Sequence, residues 1–440
     1  MSNRPSLSVL LCFVIFVLIY GATSRADLQL SDEFAVFVSG ISLATRGSLD
    51  IDALRFLQER EHLGQEGIDG HLYTKYFPGN ILGTALIYRL TEKADDEPYL
   101  SLAYALTPDP HILASSNVGA RFALRLNALL GAICVTILYS ILLRRFDWKT
   151  ATLTVLLFGL CTDWWYQSRG MFSEVGAGTL LLASLAFAEV RSPGWSAFFL
   201  GLSLLFRPTN LLGIPIWLLG VWKRGWRWLW SGLFIALGFG ALLVYNWIRF
   251  NSFLDFGYGS ERFSGSIVEG LVGVFFSPGR SLFFYSPLLI LAISGGMRLY
   301  KADKVFTGTL LTVIGGGILS TAMWHTWDGG TSWGSRLLTP VLPLLGIMVA
   351  PMVEKALSAT PDKSRFYVVL LAGLGFGIQL LTLSANVMYV LIYYTTVASI
   401  PYGDTINSFH NSWLSLQIRF LEHWNICNLD AYSLRQLFCK

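Results

Sequence analysis

The chain has 440 residues, 53% of them hydrophobic and 14% charged, with a formal net charge of +4. With a mean hydropathy of +0.53, this composition excludes an ordinary soluble domain and fits repeated membrane crossings. The basic residues lie in short clusters between apolar runs, so no face is built for nucleic acid.

Arg4, the apolar run 7–23 and Ala22-Thr23-Ser24 fit a cleaved signal peptide as well as a retained membrane anchor. Ser31-Asp32-Glu33-Phe34 comes next and opens an apolar-periodic stretch, Phe34, Phe37, Val38 and Ile41, which predicts an amphipathic helix at the membrane surface. Ionisable side chains beside a bilayer are costly and are usually retained for a purpose. Asp32 and Glu33 are therefore the first candidates for chemistry. His71, Tyr73, Lys75 and Tyr76 follow in a polar, aromatic segment ending at Pro78-Gly79, and Pro78 predicts the start of a helix over the apolar stretch 81–90. A lysine between aromatics at a membrane surface binds a lipid phosphate as a point charge or anchors an interfacial helix. The residue types leave both roles open.

Apolar runs near the length of a bilayer crossing then recur, predicting about eleven in all: 7–23, 118–143, 150–165, 172–190, 195–206, 210–222, 228–248, 283–297, 305–324, 337–353 and 366–394. Arg207-Pro208 divides the fifth from the sixth. Reading them as one crossing would place Lys223, Arg224 and Arg227 on the wrong side, so two short helices meeting at Arg207 fit better. Arg144, Arg145 and Lys149, then Lys223 to Arg227, then Arg298, Lys301 and Lys304, then Lys355, Lys363 and Arg365 mark cytoplasmic connections by the positive-inside rule. The opposite side receives 24–117, 166–171, 249–282, 325–336 and a tail. The expected fold is an all-α polytopic membrane protein. It has a transmembrane domain, 1–394, whose first outer loop, 24–117, carries juxtamembrane helices, and a short extracytoplasmic tail, 395–440.

Three of those outer segments carry further candidates. Glu174 follows Ser173 at the head of the fourth crossing, where a helix dipole stabilises a carboxylate with no site required. Taken with Asp32 and Glu33 it makes a third carboxylate on one side of the membrane. Such a group holds a hard divalent cation, Mg or Mn, or supplies a general base. The segment 323–336 mixes His325, Asp328, the Gly329-Gly330 pair, Trp333 and Arg336. Adjacent glycines let a backbone approach a ligand, and an arginine offers a fork of donors for phosphate. His71 and His325 also read as ordinary interfacial histidines, and Arg207 as a side chain snorkelling to headgroups. Cys427 and Cys439 are the candidates for a disulfide, the other cysteines lying within apolar runs. No Gly-rich phosphate loop and no room for a nucleotide-binding domain are found, so the chemistry needs no nucleotide cofactor.

These motifs resemble the membrane-embedded C-type superfamily of glycosyltransferases, which includes protein O-mannosyltransferases and the aminoarabinose transferases acting on lipid A. The residues that carry the resemblance are Asp32-Glu33, the segment from Tyr73 to Gly79, Glu174, Arg207-Pro208, and Gly329 to Arg336 before a Pro-containing crossing with Pro340 and Pro343. The resemblance favours a retained first crossing. It implies a polyprenyl-phosphate sugar as donor and a lipid, glycan or protein hydroxyl as acceptor, approached from the outer face, with a bacterial inner membrane as the setting. It further implies Asp32 as general base, with Glu33 and Glu174 orienting the acceptor or holding a metal. Lys75, Arg207 and Arg336 would bind the donor phosphate, and His71, Tyr73, Tyr76, His325, Asp328 and Trp333 would line the substrate site. One departure is the tail, too short for a separate sugar-binding domain. A transporter or flippase of a lipid-linked saccharide is the alternative, but it would carry its ionisable residues nearer the middle of the spans.

Overall fold

The computed structural model describes residues 4–25, 28, 30–91, 118–358, 363–428 and 430–431. Apolar runs in lipid must satisfy their backbone groups internally, and a helix does this within one segment. Among the described residues five stretches are long and apolar enough to cross a bilayer: Arg121–Leu142, Trp226–Phe250, Lys304–Met323, Arg336–Leu357 and Lys363–Ser384. Shorter apolar helices accompany them: Leu7–Thr23, Trp148–Cys161, Ile267–Phe276 and Val387–Val397. The molecule is a helical integral membrane protein. Eleven crossings is a finer count than length and composition carry.

The first helix, Arg4–Thr23, turns Leu7, Leu11 and Leu18 outward and buries Phe16 and Tyr20. Gly159 receives both buried rings. A Cβ there would fall 2.3 Å from Phe16, and the Tyr20 hydroxyl donates to the Gly159 carbonyl at 2.9 Å.

Ser31–Arg46 is the helix that its apolar period predicts, with Asp32 and Glu33 in the first turn and Gly47 closing it at φ +70°. It packs on Pro78–Thr91, which starts at Pro78 as expected. Between them stands an element that the residue pattern did not predict, an antiparallel hairpin of Gly64–Glu66 and Leu72–Thr74 with Gln65 opposite Tyr73. Its strands have three residues each, too few for an alternating pattern to show. Residues 92–117 of this first loop lie outside the described residues.

The Arg207-Pro208 break is real. Helix Pro193–Leu204 stops, Arg207 is extended at φ −151°, and a 3-10 turn, Pro208–Gly213, leads into helix Ile214–Arg224. Phe206, just before the break, lies over two glycines. A Cβ on Gly79 would sit 2.5 Å from its ring, and one on Gly176 would sit 2.2 Å away.

Other expectations change. The run 283–297 divides into Leu282–Tyr285, a 3-10 turn Pro287–Ile290, and Leu291–Ala302, because Pro287 has no N–H to carry the first helix onward. The run 366–394 breaks after Ser384, where the Asn386 side chain caps a new helix, Val387–Ile392. The segment 249–282 contains the helix Ile267–Phe276. The tail also folds back, through helices Tyr402–Asn407 and Trp413–Phe420, and Gln417 donates to the carbonyls of Leu381 and Ala385 at 2.9 and 2.8 Å. Cys427 is disulfide-bonded, and Cys439 lies outside the described residues.

Several of the basic connections meet at one end of the bundle. Glu189 pairs with both Arg145 and Lys223, and Arg145 also reaches Asp303 at 3.4 Å. Glu189 closes the helix Ser173–Glu189, whose first turn holds Glu174. At about 1.5 Å of rise per residue, their positions are roughly 22 Å apart along the axis.

Candidate functional site

At the Glu174 end of that helix opens a cavity of about 620 Å³. Of the residues singled out in the sequence, Asp32, Lys75, Tyr76, Glu174, Arg207, His325 and Arg336 line it. They arrive from separate elements. Asp32 and Glu174 project from the first turns of two helices, Lys75 and Tyr76 follow the hairpin, and Arg207 occupies the extended break. Arg336 follows a loop in which Gly329, Gly330 and Gly334 take φ of +73°, +68° and +60°, a region that costs glycine little and other residues more.

Arg336 ties the two acids together. Its Nη1 donates to Asp32 Oδ2 at 3.0 Å, its Nε stands 3.6 Å from Glu174 Oε1, and its guanidinium lies 4.4 Å over the Phe172 ring. Arg207 Nη1 donates to the same Glu174 oxygen at 2.7 Å. The Tyr76 hydroxyl donates to Asp32 Oδ1. Burial, and after it the Asp32 charge, raises that hydroxyl well above its ordinary value, so Tyr76 stays a donor. Lys75 Nζ pairs with Glu261 at 2.6 Å and lies 5.8 Å from the ring centres of Tyr76 and Tyr258.

Five expected residues lie elsewhere. Glu33 follows Asp32 by one residue, and one residue of helix turns a side chain by about 100°. It therefore points away from the cavity, where it accepts from the Met171 N–H at 3.0 Å and pairs with Arg25, both side chains fully buried. His71 is exposed and 2.6 Å from Asp52; the hydrogen bond and charge of Asp52 raise its pKa. The Tyr73 hydroxyl donates to Asp69 at 2.6 Å, and its ring stands edge-on to Phe250. Asp328 accepts from the Tyr402 hydroxyl at 2.9 Å. Trp333 is wholly buried against Tyr166 and Tyr285, packing rather than presenting a surface.

Glu33 and Glu174 consequently do not form one donor set for a metal, the first being tied to Arg25 and the second to Arg207. Among the described residues no group of three or more His, Cys, Asp or Glu side chains is gathered to hold an ion. Sequence reasoning missed Tyr258, Glu261 and Arg262, which line the cavity from the 249–282 segment. The signal was present, since 258–263 has the same mixture of aromatic, glycine and charge that marked the other loops. The deeper wall is apolar, with Leu181, Leu212, Val313 and Val341. One chamber thus joins carboxylates, guanidinium and ammonium groups and an apolar wall.

Two solved structures share this architecture. ArnT from Cupriavidus metallidurans bound to undecaprenyl phosphate matches with a TM-score of 0.52 and 14% identity, over 98% of this chain and 74% of that one. The same protein in the apo state matches with a TM-score of 0.53 and 15% identity, over 93% and 69%. No family model and no curated protein sequence matches the chain. At such identity the likeness is one of fold, and it is the fold that the motif resemblance to membrane-embedded C-type glycosyltransferases implied.

Proposed function

We propose that the protein is a glycosyltransferase that moves a sugar from a polyprenyl-phosphate donor to an acceptor hydroxyl, in a cavity facing the outer side of a bacterial inner membrane. The observation that carries this reading is the meeting of Asp32, Glu174, Lys75, Arg207 and Arg336 in one cavity with an apolar deep wall. A prenyl chain suits that wall by simple burial of apolar surface. The phosphate suits the guanidinium and ammonium groups at the cavity's polar end. ArnT, whose fold this chain shares, was solved with undecaprenyl phosphate bound.

In this reaction the acceptor O–H loses its proton to the Asp32 carboxylate as its oxygen bonds to the anomeric carbon. The bond from that carbon to the phosphate oxygen breaks, and polyprenyl phosphate leaves as the anion. Lys75, Arg207 and Arg336 stabilise the charge that develops on it. Attack opposite the leaving group in one displacement inverts the anomeric centre. Asp32 has both oxygens engaged, by Tyr76 and by Arg336, but a carboxylate has about four lone-pair sites and two such contacts leave room for an incoming hydroxyl. Glu174 holds Arg207 and Arg336 in register and is the second candidate to orient the acceptor. Glu33 supports the wall through the Met171 backbone. The acids and bases gather at the ends of helices, which favours an enzyme over a transporter with charges in mid-span. The test is an assay of purified protein with polyprenyl-phosphate sugars. Transfer by folded Asp32→Asn about 10²- to 10⁴-fold below wild type is expected, and equal transfer by both would overturn the reading.

A further inference from the structure

The loop that delivers Arg336 has little structure of its own. Between Asp328 and Arg336 three glycines take left-handed φ, and the backbone bonds that turn it are short-range ones, such as Ser332 N–H to the Gly330 carbonyl at 2.8 Å. Much of the hold comes from outside. Arg280, 1% exposed, donates from Nη2 to the Gly330 carbonyl at 2.6 Å and to the Tyr402 hydroxyl at 3.3 Å. Its guanidinium lies 4.1 Å over the Trp413 ring. Tyr402 donates its proton to Asp328 at 2.9 Å, and Ser335, the residue before Arg336, donates to the Arg280 carbonyl. The start, middle and end of the loop therefore converge on one buried arginine and on the folded-back tail.

That tail is seated against the Arg280 segment by separate bonds. The Ile406 carbonyl accepts from the Ser277 hydroxyl at 2.6 Å and from the Gly279 N–H at 3.0 Å. Gly279 permits the approach, since a Cβ there would stand 2.2 Å from the Thr405 carbonyl. A planar fork of donors with an aromatic-stacking face is the group that serves a carbonyl, a hydroxyl and a ring at once, which a lysine cannot.

We propose that Arg280 is a positioning residue through which the C-terminal tail braces the 328–336 loop and so sets Arg336 between Asp32 and Glu174. Its catalytic consequence rests on the reading of Arg336 as a ligand for the donor phosphate, whereas the brace itself is measurable without that reading. Precision matters at such a place, because a misplacement of about 1 Å at a reacting centre lowers rates on the order of a hundredfold.

The experiment uses the full-length protein in lipid nanodiscs, comparing wild type with Tyr402→Phe and Arg280→Lys. Two quantities are read, amide exchange across 329–336 and affinity for undecaprenyl phosphate as the probe. In both variants exchange should rise about tenfold in that loop and stay unchanged in the hairpin around 64–74, while affinity falls about tenfold, as expected when a hydrogen bond from a charged group is lost. In an Arg336→Ala background Tyr402→Phe should lower affinity no further. Unchanged exchange at 329–336 would overturn the brace, and exchange raised equally in the hairpin would reduce Arg280 to a general structural residue. Exchange raised locally with affinity unaltered would keep the brace and overturn Arg336 as the phosphate ligand.

Discussion

Glu174 stands in the first turn and Glu189 at the last residue of one helix, and each is gripped by two cations. At Glu189 the cations take both oxygens, Arg145 on Oε2 and Lys223 on Oε1. That carboxylate sits at a helix C-terminus, where the dipole opposes it, and the cations balance the conflict. At Glu174 the dipole already favours the carboxylate. Arg207 and Arg336 both reach Oε1, Arg336 is shared with Asp32, and no hydrogen bond among the described residues reaches Oε2. The cavity lies beside it. A cluster whose charges exhaust one another holds a fold together. One that keeps a carboxylate oxygen unengaged beside open space retains an acceptor for a hydrogen-bond donor that enters it.

The sharpest way to break this contrast is to neutralise an acid at each end. Asp32→Asn should lower turnover at saturating donor by about 10²- to 10⁴-fold, the usual contribution of a general base, with the protein still folded. Glu189→Gln should leave turnover per folded molecule near wild type while destabilising the protein by on the order of 3 kcal/mol, because Arg145 and Lys223 lose their shared partner. Thermal unfolding alongside the transfer assay reads both, and loss of turnover in folded Glu189→Gln would erase the distinction.

The cations give a smaller difference. A hydrogen bond from a charged group contributes roughly 1.5 to 3 kcal/mol, so Arg207→Ala and Lys75→Ala should each raise the apparent Michaelis constant for donor by about 10- to 100-fold with turnover at saturation largely kept. Lys223→Ala should leave that constant alone. Equal shifts from Lys223 and Arg207 variants would mean that neither end is specialised.

Two further measurements concern the expected metal and a pair of residues outside the cavity. Because Glu33 and Glu174 are tied to separate arginines, stripping divalent cations with a chelator should leave turnover within about twofold. A large loss that Mg or Mn restores would show that the acids regroup around an ion. The weakest effect belongs to His71 and Asp52. Asp52 raises the His71 pKa, so the stability from this pair is present at low pH and is lost as pH rises through the raised value. Asp52 itself is lowered, against burial, by the Leu72 N–H and by His71, so its share is lost as pH falls through the lowered value. Amide exchange at Leu72 should therefore be slowest between these two limits, while turnover does not follow it.

The sequence carried more of the site than of the path that assembles it. Asp32, Glu174 and Arg336 were visible because charged residues beside long apolar runs are rare enough to stand out. Pro78 and Pro208 marked a helix start and a break because a missing N–H acts locally. Glu33 and Trp333 were misplaced for a different reason. A pair of adjacent acids does not reveal which one faces inward until the helix's neighbours are known, and a tryptophan among glycines looks alike whether it stacks on a ligand or fills a core. Arg280 was invisible because its partners, Gly330 and Tyr402, are 50 and 122 positions away.

Phe206 touches two of the helices that build the site. Its ring separates Gly79, in the helix that follows Lys75, from Gly176, in the helix that presents Glu174. Both helices therefore abut the same aromatic ring. A side chain added at Gly79 or Gly176 would meet that ring, so a substitution at either position would displace the helix that follows Lys75 or the one that carries Glu174.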